Sequence, residues 1–336
     1  MRPVRLAPMN DPRNPGRLAA GGAGEAPAPV MVIGGAEDKL RDRVVLGRFI
    51  HLAGGSEACI AVLSTASSLG EIATELYRET FGRVGVAQVL GLRPQTREEA
   101  NDPALAAKLE DVTGIFITGG NQLKLSSVTG GTRLGSAIHE AHDRGVVVAG
   151  TSAGASAIAS HMMAFGSSGA TPKHRMAQVA VGLGLLVNVV IDQHFEQRTR
   201  LGRLLAMVAQ SPALIGIGLD EDTAAIVYPD DTLEVLGRGA VTVVDGSEIV
   251  TDAFQTVGHK PMMVSGIRLH SLPSGYRFDL AQRRLIPAGE PRAAEFVRTG
   301  QRRLRNLVRQ MAAEGADSRT PERRRRPGRQ LKRASE

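Results

Sequence analysis

Short unbroken apolar runs alternate along this chain with longer stretches in which apolar residues recur every three or four positions. Residues 30–33, 59–63, 84–92, 114–117 and 146–149 are of the first kind and read as strands buried on both faces. Between them, residues 40–52 (Val44, Val45, Phe49 and Leu52), 71–81, 98–109 and 134–144 carry helical spacing. Five strands alternating with helices predict an α/β fold, a mostly parallel sheet with helices on both faces. Two further apolar runs, 185–191 and 214–219, flank an amphipathic helix over 199–209 with Leu201, Leu204, Leu205 and Val208 as its apolar face. Short strands over 224–228, 233–236 and 241–244, separated by Pro229-Asp230-Asp231 and Gly237-Arg238-Gly239, read as β-hairpins at one edge of the sheet. Residues 162–180 read as an irregular polar connection.

Composition narrows this picture. Aromatic residues make up only 3% of the 336, with no Trp, so Val, Ile, Leu and Ala must fill the core. The single cysteine, Cys59, sits inside an apolar run and reads as a core thiol. One cysteine excludes a disulfide framework or a cysteine zinc site within one chain. No apolar stretch has the length of a transmembrane helix. Residues 1–27 lack the apolar region of a signal peptide and read as a disordered extension, which points to a cytoplasmic protein. The formal charge of +7 is localised, since residues 291–336 hold 14 Lys/Arg against 5 Asp/Glu while the rest is near neutral. The expected organisation is a catalytic domain over 28–287 and a basic, partly helical but mostly disordered tail over 288–336. The tail suits non-specific contact with polyanions. It lacks the interleaved aromatics of a nucleic-acid module, so nucleic acid is not a required partner.

The candidate chemistry begins at Gly150-Thr151-Ser152-Ala153-Gly154. A strand, a serine between glycines and a helix-compatible segment form the setting of a nucleophile elbow, in which a strained turn lifts the hydroxyl above the sheet. A serine needs a base. Of eight histidines, His194 is distinctive, because it ends the apolar strand before it and so is expected at the same sheet edge as Ser152. The base in turn needs a carboxylate. Asp220, Glu221 and Asp222 all end the next apolar strand, and spacing leaves the choice among them open. They also suit a solvated turn; no histidine spacing accompanies them to make a metal site, and no metal or cofactor is expected. The order Ser–His–acid differs from the Ser–acid–His order of an α/β-hydrolase. Past His194, Arg198, Arg200 and Arg203 offer planar forks for carboxylates.

Taken together, Gly34-Gly35-Ala36-Glu37-Asp38-Lys39, Thr118-Gly119-Gly120-Asn121-Gln122, the Ser152 elbow, Asp192-Gln193-His194-Phe195 with the arginines behind it, and the segment 216–224 resemble the cyanophycinase family of serine peptidases, which also contains aspartyl dipeptidase. The resemblance runs over roughly 28–285. It implies a class I glutamine amidotransferase-like (flavodoxin-like) fold, with Ser152 as nucleophile, His194 as base and Glu221 as the acid. It implies an oxyanion hole from the backbone N–H groups of Asn121 and Ala153. It implies substrate contacts from Asn121, Gln122, Asp192, Gln193, Arg198, Arg200 and Arg203. The substrate so implied is cyanophycin, a polyaspartate with Arg on each β-carboxyl, released as β-Asp-Arg, and the assembly so implied is a homodimer. The alternatives are a dipeptidase for short Asp-containing peptides and an inert binding protein of the same fold.

Overall fold

The first apolar runs pair with one another because each is excluded from water on both faces. A computed structural model describes residues 28–287; the expectations for 1–27 and 288–336 lie outside the described residues. Strands β1 (Val30–Ile33), β2 (Cys59–Leu63), β3 (Gln88–Leu92), β4 (Gly114–Ile117) and β5 (Val147–Thr151) lie parallel in the order β3–β2–β4–β5–β1. This is not the 2-1-3-4-5 order of a flavodoxin-like sheet. Here β1 lies beyond β5, with an antiparallel strand on its other side.

Helices α1 (Val44–Leu52) and α2 (Glu71–Gly82) cover one face of this parallel set. Phe49, Tyr77 and Phe81 surround Phe116 of β4, with ring centroids 5.3, 4.7 and 5.5 Å from it. The expected helix over 98–109 is two pieces, α3 (Arg97–Ala100) and α4 (Pro103–Ala107). Asp102 accepts from Ala104 N–H at 2.9 Å and Pro103 begins the new helix, so the chain turns where the periodicity alone continued. Two further helices, α5 (Gln122–Thr129) and α6 (Arg133–Asp143), bury Leu125, Val128, Leu134, Ile138 and Ala141 in one core with Ile115, Ile117 and Val148. The first of them has almost no apolar periodicity and was not expected.

After β5 come α7 (Ala153–Ile158), β6 (Ala159–Gly166), β7 (Ala177–Val181), β8 (Leu186–Gln193), α8 (Leu201–Gln210), β9 (Ile215–Leu219), β10 (Thr223–Val227), β11 (Thr232–Gly237) and β12 (Ala240–Asp245). Short strands β13 (Val250–Thr251), β14 (Val264–Ser265), β15 (Arg268–Pro273), β16 (Arg277–Asp279) and β17 (Arg284–Ile286) complete the described chain. The first sheet has nine strands, with β10, β11, β16 and β17 added antiparallel beyond β1. A second sheet has the order β15–β12–β9–β8–β6–β7; β6, β8 and β9 run parallel within it and its outer pairs are antiparallel.

The fold is therefore mixed α/β with two large sheets, and the expectation of a mostly parallel sheet is corrected. No helix separates β9 from β10 or β10 from β11, and a parallel neighbour requires a crossover of a dozen or more residues. The hairpin expected between 233–236 and 241–244 is also corrected. Gly237-Arg238-Gly239 carries the chain from one sheet to the other, so β11 pairs with β10 while β12 pairs with β9. Residues 162–180, expected to be irregular, supply most of the β6–β7 ladder. Val189, Ile191, Ile215 and Ile217 of the second sheet share a core with Val30, Val32 and Val148 of the first. The opposite face of the second sheet, with Val190 and Val244, packs under Leu204, Met207 and Val208 of α8.

Phe116 is fully buried at the centre of its aromatic group. Phe116→Ala is expected to destabilise the protein by about 3–5 kcal/mol, from lost transfer energy and an incompletely collapsed cavity. Chemical denaturation checks this as a lower midpoint with an unchanged slope.

Candidate active site

The turn after β1 brings the candidate residues together. Ile33 C=O accepts from Ser152 N–H at 2.9 Å and Gly34 C=O from His194 N–H at 2.9 Å. Gly34 N–H donates to Thr223 C=O at 2.9 Å, and Gly35 C=O accepts from Asp222 N–H at 2.9 Å. One short segment thus touches the chain beside each candidate member of the triad. His194 ends β8 in the second sheet, so it is not on the same sheet as Ser152, as its apolar strand suggested. The two residues meet across the junction between sheets.

Ser152 has φ 53° and ψ −114°, a strained turn between β5 and α7. Gly154 lets the helix that follows start close against the end of β4, because a Cβ there would lie 2.9 Å from Ile117 C and 3.0 Å from Thr118 O. The Ser152 hydroxyl is 2.9 Å from His194 Nε2, and His194 Nδ1–H donates to Glu221 Oε1 at 2.6 Å. Gly35, at φ +96°, sits against the imidazole; a Cβ there would lie 2.7 Å from Nε2. The three consecutive acids divide their work. Asp220 accepts from the N–H groups of Glu196 and Ala240, and Asp222 from Asp38 N–H. Glu221 alone reaches the imidazole, and its own N–H is held by Gln197 Oε1 at 3.0 Å.

Burial pushes the His194 pKa down, and the positive charges of Arg198 and Arg200 push it the same way; Glu221 opposes them without reversing the result. The imidazole is therefore neutral at neutral pH and able to accept the serine proton.

The N–H groups of Ala153, Gly119 and Gly120 make no hydrogen bond among the described residues. The N–H of Asn121 donates to Ala66 C=O at 2.8 Å, so it is not free for an oxyanion, and that expectation is corrected. The side chains of this loop are likewise engaged. Asn121 Oδ1 caps α5 through Lys124 N–H at 3.1 Å, and Gln122 Nε2 donates to Met163 C=O at 3.2 Å and to Ala164 C=O.

Asp192 is 0% exposed and accepts from Arg200 Nη1 at 3.2 Å and Arg203 Nε at 2.5 Å, with Arg203 Nη2 as a third donor. Gln193 Oε1 also accepts from Arg200 at 3.0 Å. Asp192 and Arg203 thus neutralise each other in the interior, and neither is open to a ligand. Arg200 is buried, with its pKa lowered to about 10 by that burial, and its Nε has no partner. Arg198 is exposed, and its guanidinium has no partner among the described residues. Thr199, between the two, has φ 49°, a strained conformation for a β-branched residue.

Glu37 was not singled out by its chemistry in the sequence, yet its buried carboxylate contacts Thr151, beside the nucleophile, at 2.6 Å. Its place two residues after a Gly-Gly turn at a strand end was the available signal. Among the described residues no group of His, Cys, Asp and Glu is gathered to hold a metal ion, and no helix is long and apolar enough to cross a membrane.

The sequence profile of peptidase family S51 matches residues 30–236. A cyanophycinase of Trichormus variabilis is 42% identical over 261 residues, covering 77% of this chain and 88% of that one. A cyanophycinase of Geminocystis herdmanii is 39% identical over 252 residues, covering 74% and 93%. Among solved structures, a peptidase from an acI-B1 actinobacterium superposes with a TM-score of 0.56 at 22% identity, covering 74% of this chain and 98% of that one, a likeness of fold.

Two outcomes follow from the charges. The rate at which a serine-directed phosphonate labels Ser152 is expected to fall on acidification with a midpoint below the ordinary histidine value of about 6.5. Arg198→Gln is expected to raise that midpoint, since one cation near the imidazole is removed; a pH profile of labelling checks both. Asp192→Asn leaves two arginines without their buried counter-charge and is expected to cost about 3–5 kcal/mol of stability, read by denaturation.

Proposed function

The chain belongs to peptidase family S51, and from that premise we propose that it is a serine-type exopeptidase that hydrolyses cyanophycin to β-Asp-Arg. The observation that carries the catalytic part is the continuous relay of Ser152 Oγ, His194 Nε2, His194 Nδ1 and Glu221 Oε1, at 2.9 and 2.6 Å. The relatives named cyanophycinase, at 42% and 39% identity, support the substrate.

In this reading Glu221 holds the imidazole with its proton on Nδ1, leaving Nε2 to accept the Ser152 proton as Oγ attacks the scissile carbonyl. The developing oxyanion is met by Ala153 N–H and the Gly119-Gly120 amides in place of Asn121. The imidazolium passes its proton to the departing amine, leaving an acyl-enzyme on Ser152. Water, deprotonated by His194, then releases the acid product. The arginine unit of the polymer carries a free carboxylate, and the exposed Arg198 is assigned to it, whereas Arg200, buried against Asp192, is not. Asp192, Gln193 and Arg203 hold Arg200 in place, and Asn121 and Gln122 shape the loop beside the nucleophile. A class I glutamine amidotransferase-like arrangement and a homodimer belong to the same reading, on the strength of the family resemblance, and a cytoplasmic location is proposed with them.

Purified protein incubated with cyanophycin is expected to release β-Asp-Arg, identified by mass spectrometry. Ser152→Ala should abolish release while leaving the fold intact. Arg198→Ala should raise KM about tenfold or more, the loss of a charge-assisted contact worth about 1.5–3 kcal/mol. Efficient cleavage of short Asp-containing peptides with the polymer untouched would replace the substrate and keep the mechanism.

A further inference from the structure

A carboxylate removed from water is costly unless its oxygens are matched by donors. Glu37 is 4% exposed and matched on both oxygens. Oε1 accepts from Tyr77 OH at 2.5 Å and from Lys39 Nζ at 2.7 Å; Oε2 accepts from Thr151 Oγ1 at 2.6 Å. Burial pushes the Glu37 pKa up, but the Lys39 charge and the three sets of hydrogen bonds outweigh it and hold the carboxyl below its ordinary value. It is an anion at neutral pH. Tyr77 is in turn kept protonated, its pKa driven well above the usual value by burial and by Glu37.

None of these groups reaches the imidazole or the oxyanion donors, and the mechanism above does not use them. Their location is specific all the same. Thr151 is the last residue of β5 and the one before Ser152. Its backbone is registered against Ile33. Its side chain is tied to Glu37, on the turn that also holds His194 through Gly34 C=O. Tyr77 is immobilised by its packing against Phe116 and Phe81, at 4.7 and 5.8 Å between centroids. The anchor therefore runs from a rigid aromatic group, through the carboxylate, to the residue that precedes a strained serine. Strained backbone of this kind persists only where its surroundings over-determine it.

We propose that Glu37, supported by Tyr77 and Lys39, is a positioning residue for the nucleophile: it clamps the Thr151 hydroxyl and thereby fixes where Ser152 Oγ stands relative to His194. The inference rests on Ser152 being the nucleophile, as in the proposed function. Its contribution is to kcat and not to substrate affinity, because no atom of the anchor belongs to the groups assigned to the substrate. Misplacement of a reacting atom by about 1 Å is enough to cost roughly 100-fold in rate.

The test compares Thr151→Val, which removes only the hydroxyl, with Thr151→Ser, which restores it, and with Glu37→Gln, which keeps the shape and removes the charge. The readouts are the rate of Ser152 labelling by a fluorophosphonate, kcat and KM on cyanophycin, and the melting temperature. Thr151→Val and Glu37→Gln are expected to slow labelling and kcat by about 10–100-fold with KM within about twofold. Thr151→Ser should stay within about threefold of the parent, and the Glu37→Gln/Thr151→Val double variant should be no slower than the slower single, since both cut one link. A Thr151→Val protein that melts lower but labels at the parent rate overturns the proposal, as does a Thr151→Ser protein as slow as Thr151→Val. If Glu37→Gln does not fold, the two Thr151 variants decide. A parent protein that labels but leaves cyanophycin intact overturns only the substrate, and labelling still decides on Glu37. A parent that does not label overturns the nucleophile and this inference together.

Discussion

The two sheets meet at the turn that follows β1, and the hydrogen bonds made there hold the site in one piece. Ile33 and Gly34 present consecutive carbonyls to Ser152 and His194, each at 2.9 Å. The neighbouring Gly34 N–H and Gly35 C=O engage Thr223 and Asp222, the two residues that follow Glu221. These bonds are buried between two packed layers, where a polar backbone group left without a partner costs about 1–3 kcal/mol. The turn cannot shift without giving up several of them at once. That is why a serine from one sheet and a histidine from the other can hold a 2.9 Å contact.

Backbone strain is concentrated around the same junction. Ser152, His194, Thr199 and Asp222 all have positive φ, between 46° and 53°. Such residues cost of order 1–3 kcal/mol each and are retained where packing and hydrogen bonding leave no alternative. Thr199 shows what the strain accomplishes. It separates Arg198, which is left exposed, from Arg200, which is drawn in to Asp192. Two of the three cations turn inward against one carboxylate, while the third stays exposed, where its charge also lowers the His194 pKa.

How much of this was legible in the residues depended on how local each cause is. The elbow was legible because strand, glycine, serine and small-residue helix are neighbours in the chain. His194 was legible because a polar residue ending an apolar strand must emerge at a strand end. Which sheet that strand joins was not, since β8 pairs with β6 and β9 through contacts set by the whole core. Spacing left the acid undetermined among three neighbours; the family resemblance singled out Glu221, and the turn is what aims it at the imidazole. Asp220 and Asp222 proved to be ligands of backbone N–H groups, a role that any of the three could fill on chemistry alone. The Asn121 amide and the Asp192 carboxylate had the right chemistry for the roles assigned to them, but Ala66 C=O and two arginines already occupy them.

The sequence by itself determined the alternation of buried strands and helices, the strained serine turn and the identity of a histidine at a strand end. Each follows from the solvation and conformational preference of a few consecutive residues. The tertiary structure alone decided that two mixed sheets replace one mostly parallel sheet, that Glu221 faces the imidazole, and which charged groups are spent inside the protein. Those outcomes depend on which partner reaches a polar group first in three dimensions, and a buried donor or acceptor is satisfied by whatever the fold brings to it, however distant in the chain.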